Sequence, residues 1–447
     1  DPLFVFHNIL DDDVKITDEN VTWGEVNVNQ REAFMQLFSW HPDLQMTMKD
    51  GGNYQKVWET YYNLILGANA ALDYIKEVSG TEEDKAHVQA QALALRAFYY
   101  LQLVNLFGEP YTYNKEALGV PLKLTSALSI SYDKRKTVGE VYDQIVRDLD
   151  EAEKYFLMLP KEKQFLPNYR ITLPAVQLLK ARVNLYMNNL EEAAKYAKNV
   201  IEDWDFVLYD LRSISYDGVT FPNYVTYDNP ETIWAFGKRN DLLKFTHDLM
   251  GDYGVKDHRV LINASDELVD NYEDEGDLRK QFYLVPEYGY TPVCYLAVSK
   301  CVFLGESIPS DDKFMLALRL SEAYLILAEA TAKTDPTIAL NAVNELRKKR
   351  ISEEKYKDKS GLSGDELLEF VRNERRRELC FEEAMRFWDM RRQGMPEVKH
   401  EFYSSMTSSK TFVLKQGSPN YLLPIPLSET EYNDGMTNNS RETIVGN

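Results

Sequence analysis

Apolar residues return every three or four positions along much of this chain, in paired segments separated by short polar breaks. That period lines up side chains on one face of an α-helix and so restricts the chain to packed helices. Val57 to Tyr74 and Val88 to Phe107 both carry it, and the second is apolar on nearly every face, which predicts a central helix. Thr137-Val138-Gly139-Glu140 has capping-box spacing, where hydroxyl and carboxylate each satisfy a free amide. Val138, Val141, Ile145, Leu149, Ala152 and Phe156 then continue as one stripe. Ala175 to Met187, an Asn188-Asn189 turn and Leu190 to Ile201 read as an antiparallel helix pair. Phe314 to Lys333 followed by Thr337 to Arg350 repeats that design, with Ala330, Ala339 and Ala342 small enough for close approach. Two such hairpins predict tetratricopeptide-like packing, with degenerate repeats rather than a sustained period of about 34 residues. Ser363-Gly364-Asp365-Glu366 has capping-box spacing again and opens a charged helix expected to reach Arg392, whereas Thr411 to Asn447 shows no regular pattern.

From 203 to 312 the helical period fades, and ten tyrosines between Tyr209 and Tyr295 are interleaved with Asn-Pro, Phe-Pro and Gly. Strand-like pieces, Thr232 to Phe236 and Tyr295 to Val298, are embedded in it. The expected architecture is therefore mainly α: one domain, a tetratricopeptide-like helical-hairpin scaffold with a loop-rich, short-strand insertion. Residues 1–202 form the N-terminal helical half, 203–312 the insertion, and 313–447 a helical hairpin, long helix and tail. Loops carried on a rigid scaffold are where binding residues concentrate, so the insertion is the expected ligand-binding segment.

Charge narrows the partners. The 51 Lys+Arg against 71 Asp+Glu give −20, and the basic residues form only short runs such as Lys348-Lys349-Arg350, which argues against nucleic acid. The longest apolar runs, Val293 to Val298 and Ala323 to Ala328, fall far short of the roughly 20 residues of a membrane-spanning helix. The first residues show neither a basic segment nor an apolar stretch, which leaves compartment open between the cytosol and a processed, exported chain. Cys294, Cys301 and Cys380 read as small hydrophobes; the first two would sit about 23 Å apart in one strand, beyond disulfide reach.

No cofactor or catalytic signature emerges. Six histidines are scattered without His-Glu-x-x-His spacing, and the acidic run Asn271 to Gly276 has Phe282 where a calcium loop needs a bidentate Glu. Gly361-Leu362-Ser363-Gly364 lacks the spacing of a nucleophile elbow. The run Asn373-Glu374-Arg375-Arg376-Arg377-Glu378 reads as a helix face laced with ion pairs.

Aromatic content does point somewhere: 29 Tyr, 20 Phe and 6 Trp. Flat rings stack on the apolar faces of sugars while neighbouring polar groups bond the hydroxyls. Tyr99, Tyr142 and Trp388 lie on amphipathic helices and are assigned to the core. Trp40, Tyr54, Tyr224, Tyr227, Tyr253, Tyr288 and Tyr290, in turn-rich sequence, are the candidate ligand contacts.

Four segments in order resemble the SusD/RagB family of outer-membrane nutrient-binding lipoproteins. They are Leu95-Arg96-Ala97-Phe98-Tyr99-Tyr100 through Phe107-Gly108-Glu109-Pro110 and Gly119-Val120-Pro121-Leu122; Arg319-Leu320-Ser321-Glu322 through Ala328-Glu329-Ala330; Glu374-Arg375 and Glu378-Leu379 with Arg386-Phe387-Trp388-Asp389-Met390-Arg391-Arg392; and Tyr421-Leu422-Leu423-Pro424-Ile425-Pro426. Ala384 stands where the family usually has Gly, and the spacing before Arg386 is one residue longer than the pattern. The resemblance implies a non-catalytic glycan-binding protein of the cell surface, without cofactor. It would be held in the outer membrane by an N-terminal lipid anchor absent from this chain, and would deliver oligosaccharide to a SusC-like TonB-dependent transporter. The acidic balance disfavours strongly anionic glycans. Oligopeptide capture by the same mechanism, or a tetratricopeptide-like protein-binding scaffold, are the alternatives left open; a glycosidase would need two carboxylates about 5–10 Å apart in the aromatic cleft.

Overall fold

The computed structural model describes residues 6–16, 35–42, 44, 53–128, 133–166, 169–214, 229–237, 263–272, 275–284, 286–287, 294–295, 316–405 and 408–447. It is mainly helical, with strands in four antiparallel pairs among the described residues. The chain divides into two compact units, one of residues 42–204 and 419–442, the other of residues 1–41, 205–418 and 443–447.

In the first unit, α1 (Asn53–Tyr74), α2 (Glu82–Phe107), α3 (Val138–Leu157), α4 (Leu173–Tyr186) and α5 (Leu190–Glu202) each pack against the next in sequence. Helix α2 is buried along most of its length, as its all-round apolar pattern requires. The α3 stripe of Val138, Val141, Ile145, Leu149, Ala152 and Phe156 is at most 1% exposed, and each large member contributes about 1.5–3 kcal/mol of burial. Both bonds of the Thr137 capping box form: Glu140 N–H donates to Thr137 Oγ1 at 3.1 Å, and Thr137 N–H to Glu140 Oε2 at 2.8 Å. Asn188, in the left-handed region at φ 62°, turns the chain so that α5 folds back on α4.

The motif residues of this unit hold the packing together. Arg96 on α2 grips Asp148 on α3 through Nε at 2.8 Å and Nη2 at 2.6 Å, while Nη1 donates to Asn69 on α1, tying three helices through buried groups. A Cβ on Gly108 would meet Val104 O and Val138 Cγ2 at 3.0 Å and Gly119 Cα at 3.3 Å, so the two glycines permit a close backbone approach. The Leu423 N–H donates to Leu106 O at the end of α2, and Tyr421 and Ile425 are fully buried. The tail is thus ordered here, with a further short helix at Leu427–Tyr432.

The second unit contains β1 (Val14–Lys15), β2 (Thr232–Phe236), β3 (Asn263–Ala264), α6 (Asp266–Asn271), α7 (Leu278–Phe282), β4 (Pro286–Glu287), β5 (Cys294–Tyr295) and β6 (Leu316–Arg319). After these come α8 (Leu320–Thr331), α9 (Pro336–Lys348), α10 (Gly364–Leu379), α11 (Met385–Arg392), β7 (Val398–Ser405) and β8 (Ser408–Leu414). Ala328, Ala332, Ala339, Ala342, Val343, Leu367 and Val371 form the core shared by α8, α9 and α10. The strand at Thr232–Phe236 forms as expected and pairs with β6.

Four local expectations are corrected. Residues 316–319, read as helix, are the buried strand β6, because pairing with β2 overrides helical period. The long charged helix breaks after Leu379, where Phe381 (φ 61°) and Glu383 (φ 47°) take left-handed backbone before α11 begins. The break buries Phe381 and carries Glu382 into contact with Arg319. Ser363 makes no side-chain cap bond, so the second capping box does not form. The supposedly irregular tail supplies β8, which pairs with β7, placing Phe412 opposite His400 and Leu414 opposite Val398. Tyr142 and Trp388 are buried as expected and Tyr99 is half-buried. Cys380 is a buried free thiol; the Cys294 side chain and Cys301 lie outside the described residues.

Candidate functional site

Charge anchors Tyr209, Glu231, Asp277 and Arg279 of the tyrosine-rich segment. Glu231, just before β2, is 1% exposed and accepts from Arg350 Nη2 (2.6 Å), Arg319 Nη1 (3.0 Å) and the Tyr209 N–H (2.7 Å). Arg350 Nη1 donates in turn to Tyr209 O at 2.6 Å. Asp277, the N-cap of α7, grips Arg279 through both oxygens at 2.9 and 2.7 Å, and Arg279 Nη1 lies 2.7 Å from Glu374. Glu378 on α10 sits at the centre, fully buried, accepting from Arg350 Nε at 2.9 Å, Arg319 at 3.2 Å and the Tyr283 hydroxyl at 3.2 Å. With Arg347, Arg377 and Glu382, five guanidinium groups meet five carboxylates among the described residues, so the cluster is neutral as a whole.

The charge run on α10 is laced with ion pairs as expected, and those pairs lie in the core. Burial raises the Glu374 carboxyl, but Arg279, Arg377 and Arg347 outweigh it and hold the group well below the usual carboxylate range. Burial likewise opposes charge on Arg279, Arg319 and Arg350, yet the facing carboxylates push all three well above the ordinary guanidinium value. Such a cluster offers no reactive group to a ligand; it fixes the base of the insertion to α9 and α10. Two insertion tyrosines join it: Tyr272 donates to Arg377 O at 2.8 Å and Tyr283 to Glu378, and both are buried. Composition shows that these charges exist, but only their convergence from Glu231, Arg319, Arg350 and Glu378 reveals the cluster.

Trp40 is placed differently from its expected role. It is fully buried at φ 49°, its indole N–H donates to Leu10 O at 2.9 Å, and its ring stacks on His400 at 4.2 Å. Phe38 stacks on His400 at 4.0 Å. The imidazole nitrogens lie 2.7 Å from Phe38 O and 2.8 Å from Asp11 O, and burial pushes its pKa down to about 4. Trp40 accordingly presents no ring face to solvent. Tyr54 falls in the first turn of α1, with its side chain outside the described residues. Tyr224, Tyr227, Tyr253, Tyr288 and Tyr290 also lie outside them; Tyr288 and Tyr290 fall in sequence between the paired strands β4 and β5.

Among the described residues no group of three His, Cys, Asp or Glu side chains is placed to hold a metal ion. No helix among them is long and apolar enough to cross a membrane.

Residues 10–185 match a family model described as "Starch-binding associating with outer membrane", and residues 310–441 match the model of the SusD family. The chain belongs to the SusD family. Its Arg96 and Gly108 segments fall in the first match, and its Arg319, Glu374 and Tyr421 segments in the second. SusD-like protein P38 of Formosa agariphila is 25% identical over 423 residues, covering 82% of this chain and 78% of the relative. A SusD superfamily protein of Bacteroides thetaiotaomicron shares the fold at a TM-score of 0.75 and 21% identity, over 99% of this chain and 95% of that one. A structure described as a SusD-like carbohydrate binding protein, from Bacteroides vulgatus, matches at 0.72 and 22% identity, over 97% and 91%.

Proposed function

We propose that this SusD-family chain captures an oligosaccharide or polysaccharide at the cell surface without cleaving it. A lipid anchor holds it in the outer membrane, and it delivers the glycan to a SusC-like TonB-dependent transporter. Family membership over both ends of the chain carries the reading, together with the carbohydrate-binding description of a structural neighbour. The tyrosine-rich insertion pinned by Glu231 and Arg279 supports it, since aromatic platforms on a rigid base suit sugar rings. Tyr224, Tyr227, Tyr253, Tyr288 and Tyr290 are the proposed stacking residues, and Tyr54 is a further candidate; Trp40, enclosed in the core, is not among them.

Calorimetry against a glycan panel tests this, comparing the wild type with a Tyr288→Ala, Tyr290→Ala double variant of unchanged circular dichroism. Heat from one polysaccharide class, lost in the double variant, is the expected outcome. Silence across the panel, with heat from mixed oligopeptides instead, replaces glycan capture by peptide capture.

A further inference from the structure

The N-terminal turn before β1 sets three carboxyl groups in a row, Asp11, Asp12 and Asp13, and only two of them meet a cation. Arg386 on α11 grips Asp12 through two bonds of 2.6 Å, and Arg376 on α10 donates from Nε to Asp13 Oδ1 at 2.7 Å. The other arms of Arg376 reach Glu267 on α6 at 2.8 Å and Asp12 O at 3.2 Å. Asp11 is 1% exposed. Its Oδ1 accepts the Asp13 N–H at 2.9 Å, while its Oδ2 has no hydrogen-bond partner among the described residues. Asp13 Oδ2, in the same turn, is buried and unpartnered as well.

Charge balance decides the state of Asp11. Asp12 and Asp13 already match Arg376 and Arg386, as the carboxylates around Glu378 match their guanidinium groups, and the Glu267 side chain is 70% exposed to water. Lys15 turns to Asp266 at 2.5 Å. From β7, His400 faces the backbone oxygen of Asp11 at 2.8 Å and is uncharged at neutral pH. An ionised Asp11 would therefore be a buried charge without a counterion, a state that such groups escape by taking up a proton. Burial, then repulsion from Asp13 and Asp12, pushes its carboxyl well above the usual carboxylate range, and the Asp13 N–H and Arg386 oppose this more weakly.

We propose that the N-terminal turn docks with a proton on Asp11, as a clasp that opens when the proton leaves. The proton sits on Oδ2, with Asp13 Oδ2 as the unpartnered acceptor of the same turn. Its loss sets a third carboxylate beside Asp12 and Asp13 with no third guanidinium to match it. Docking holds much in place: Leu10 O takes the Trp40 indole N–H, Asp12 O takes the Ser265 hydroxyl, and Val14 pairs with Ala264. Because the docked turn binds a proton that the released turn gives up, docking is present at lower pH and lost as pH rises through the raised Asp11 value.

Infrared spectra of the full chain with isotope-labelled aspartate test this, with Asp11→Asn and Asp12→Asn beside the wild type. At neutral pH the wild type should show the C=O stretch of one protonated carboxyl, lost in Asp11→Asn and retained in Asp12→Asn. Raising the pH until that band vanishes should in the same step strip hydrogen-exchange protection from Val14 and Lys15, while Asp11→Asn keeps it. The urea midpoint should be no lower in Asp11→Asn than in the wild type, but clearly lower in Asp12→Asn, which breaks the Arg386 pair. Should Asp11→Asn fail to fold, the band and the protection of the wild type, followed together against pH, carry the test. A wild type without the band, a midpoint lowered by Asp11→Asn as far as by Asp12→Asn, or protection that outlasts the band overturns the clasp.

Discussion

Replacing Glu378 by glutamine keeps its shape and removes its charge. In the wild type this carboxylate is fully buried and takes bonds from Arg350, Arg319 and Tyr283, with Arg279 at 3.4 Å. The variant leaves five guanidinium groups facing four carboxylates, and the new amide turns N–H donors toward cations. Breaking one partner of a buried ion cluster costs about 3–5 kcal/mol. With a urea m-value near 3 kcal/mol per molar, the unfolding midpoint should drop by about 1–1.7 M. Tryptophan fluorescence follows the transition, and hydrogen exchange should place the loss of protection in α7, α9 and α10. The control is Glu192→Gln, whose partner Lys195 lies at 2.9 Å with both side chains near half exposed. An exposed pair of this kind contributes under about 1 kcal/mol. If Glu378→Gln shifts the midpoint no further than Glu192→Gln, the cluster is not what holds these elements together.

Thr137→Ala should cost about 1 kcal/mol by removing a formed capping box, whereas Ser363→Ala, at a position without a cap bond, should stay within about 0.5 kcal/mol; thermal melts compare the two. His400 should make stability depend on pH. The unfolded imidazole binds a proton near pH 6.5 and the buried one only near 4, so the unfolded state holds more protons between those values and stability falls as pH drops. The full effect is about 3 kcal/mol, read from urea midpoints, and His400→Gln should flatten the slope between pH 4 and 6.5. An unchanged slope in that variant would refute the assignment.

Much of the helical scaffold was legible because amphipathic helices and their caps are local. The α3 stripe, the Thr137 box and the Asn188 turn each depend on residues within a few positions of one another. The order of four motif segments likewise identified the family. The misreadings share a different cause. Leu316–Arg319 is a strand only because Thr232–Phe236 lies beside it, and the tail strand exists only through Val398–Ser405. Helical period in a short apolar run cannot register a partner some eighty residues away. Trp40 looked like a surface aromatic because its neighbours favour turns, yet His400, far along the chain, closes over its ring.

The sequence by itself determined that this chain builds helical hairpins, carries a tyrosine-rich segment and belongs with the SusD proteins, because period, composition and motif order are properties of the string. Only the tertiary structure decided which charges are buried. Glu231, Arg319, Arg350 and Glu378 lie in four separate stretches, and a carboxylate becomes an anchor rather than a solvated group only when folding removes its water and supplies guanidinium groups in return.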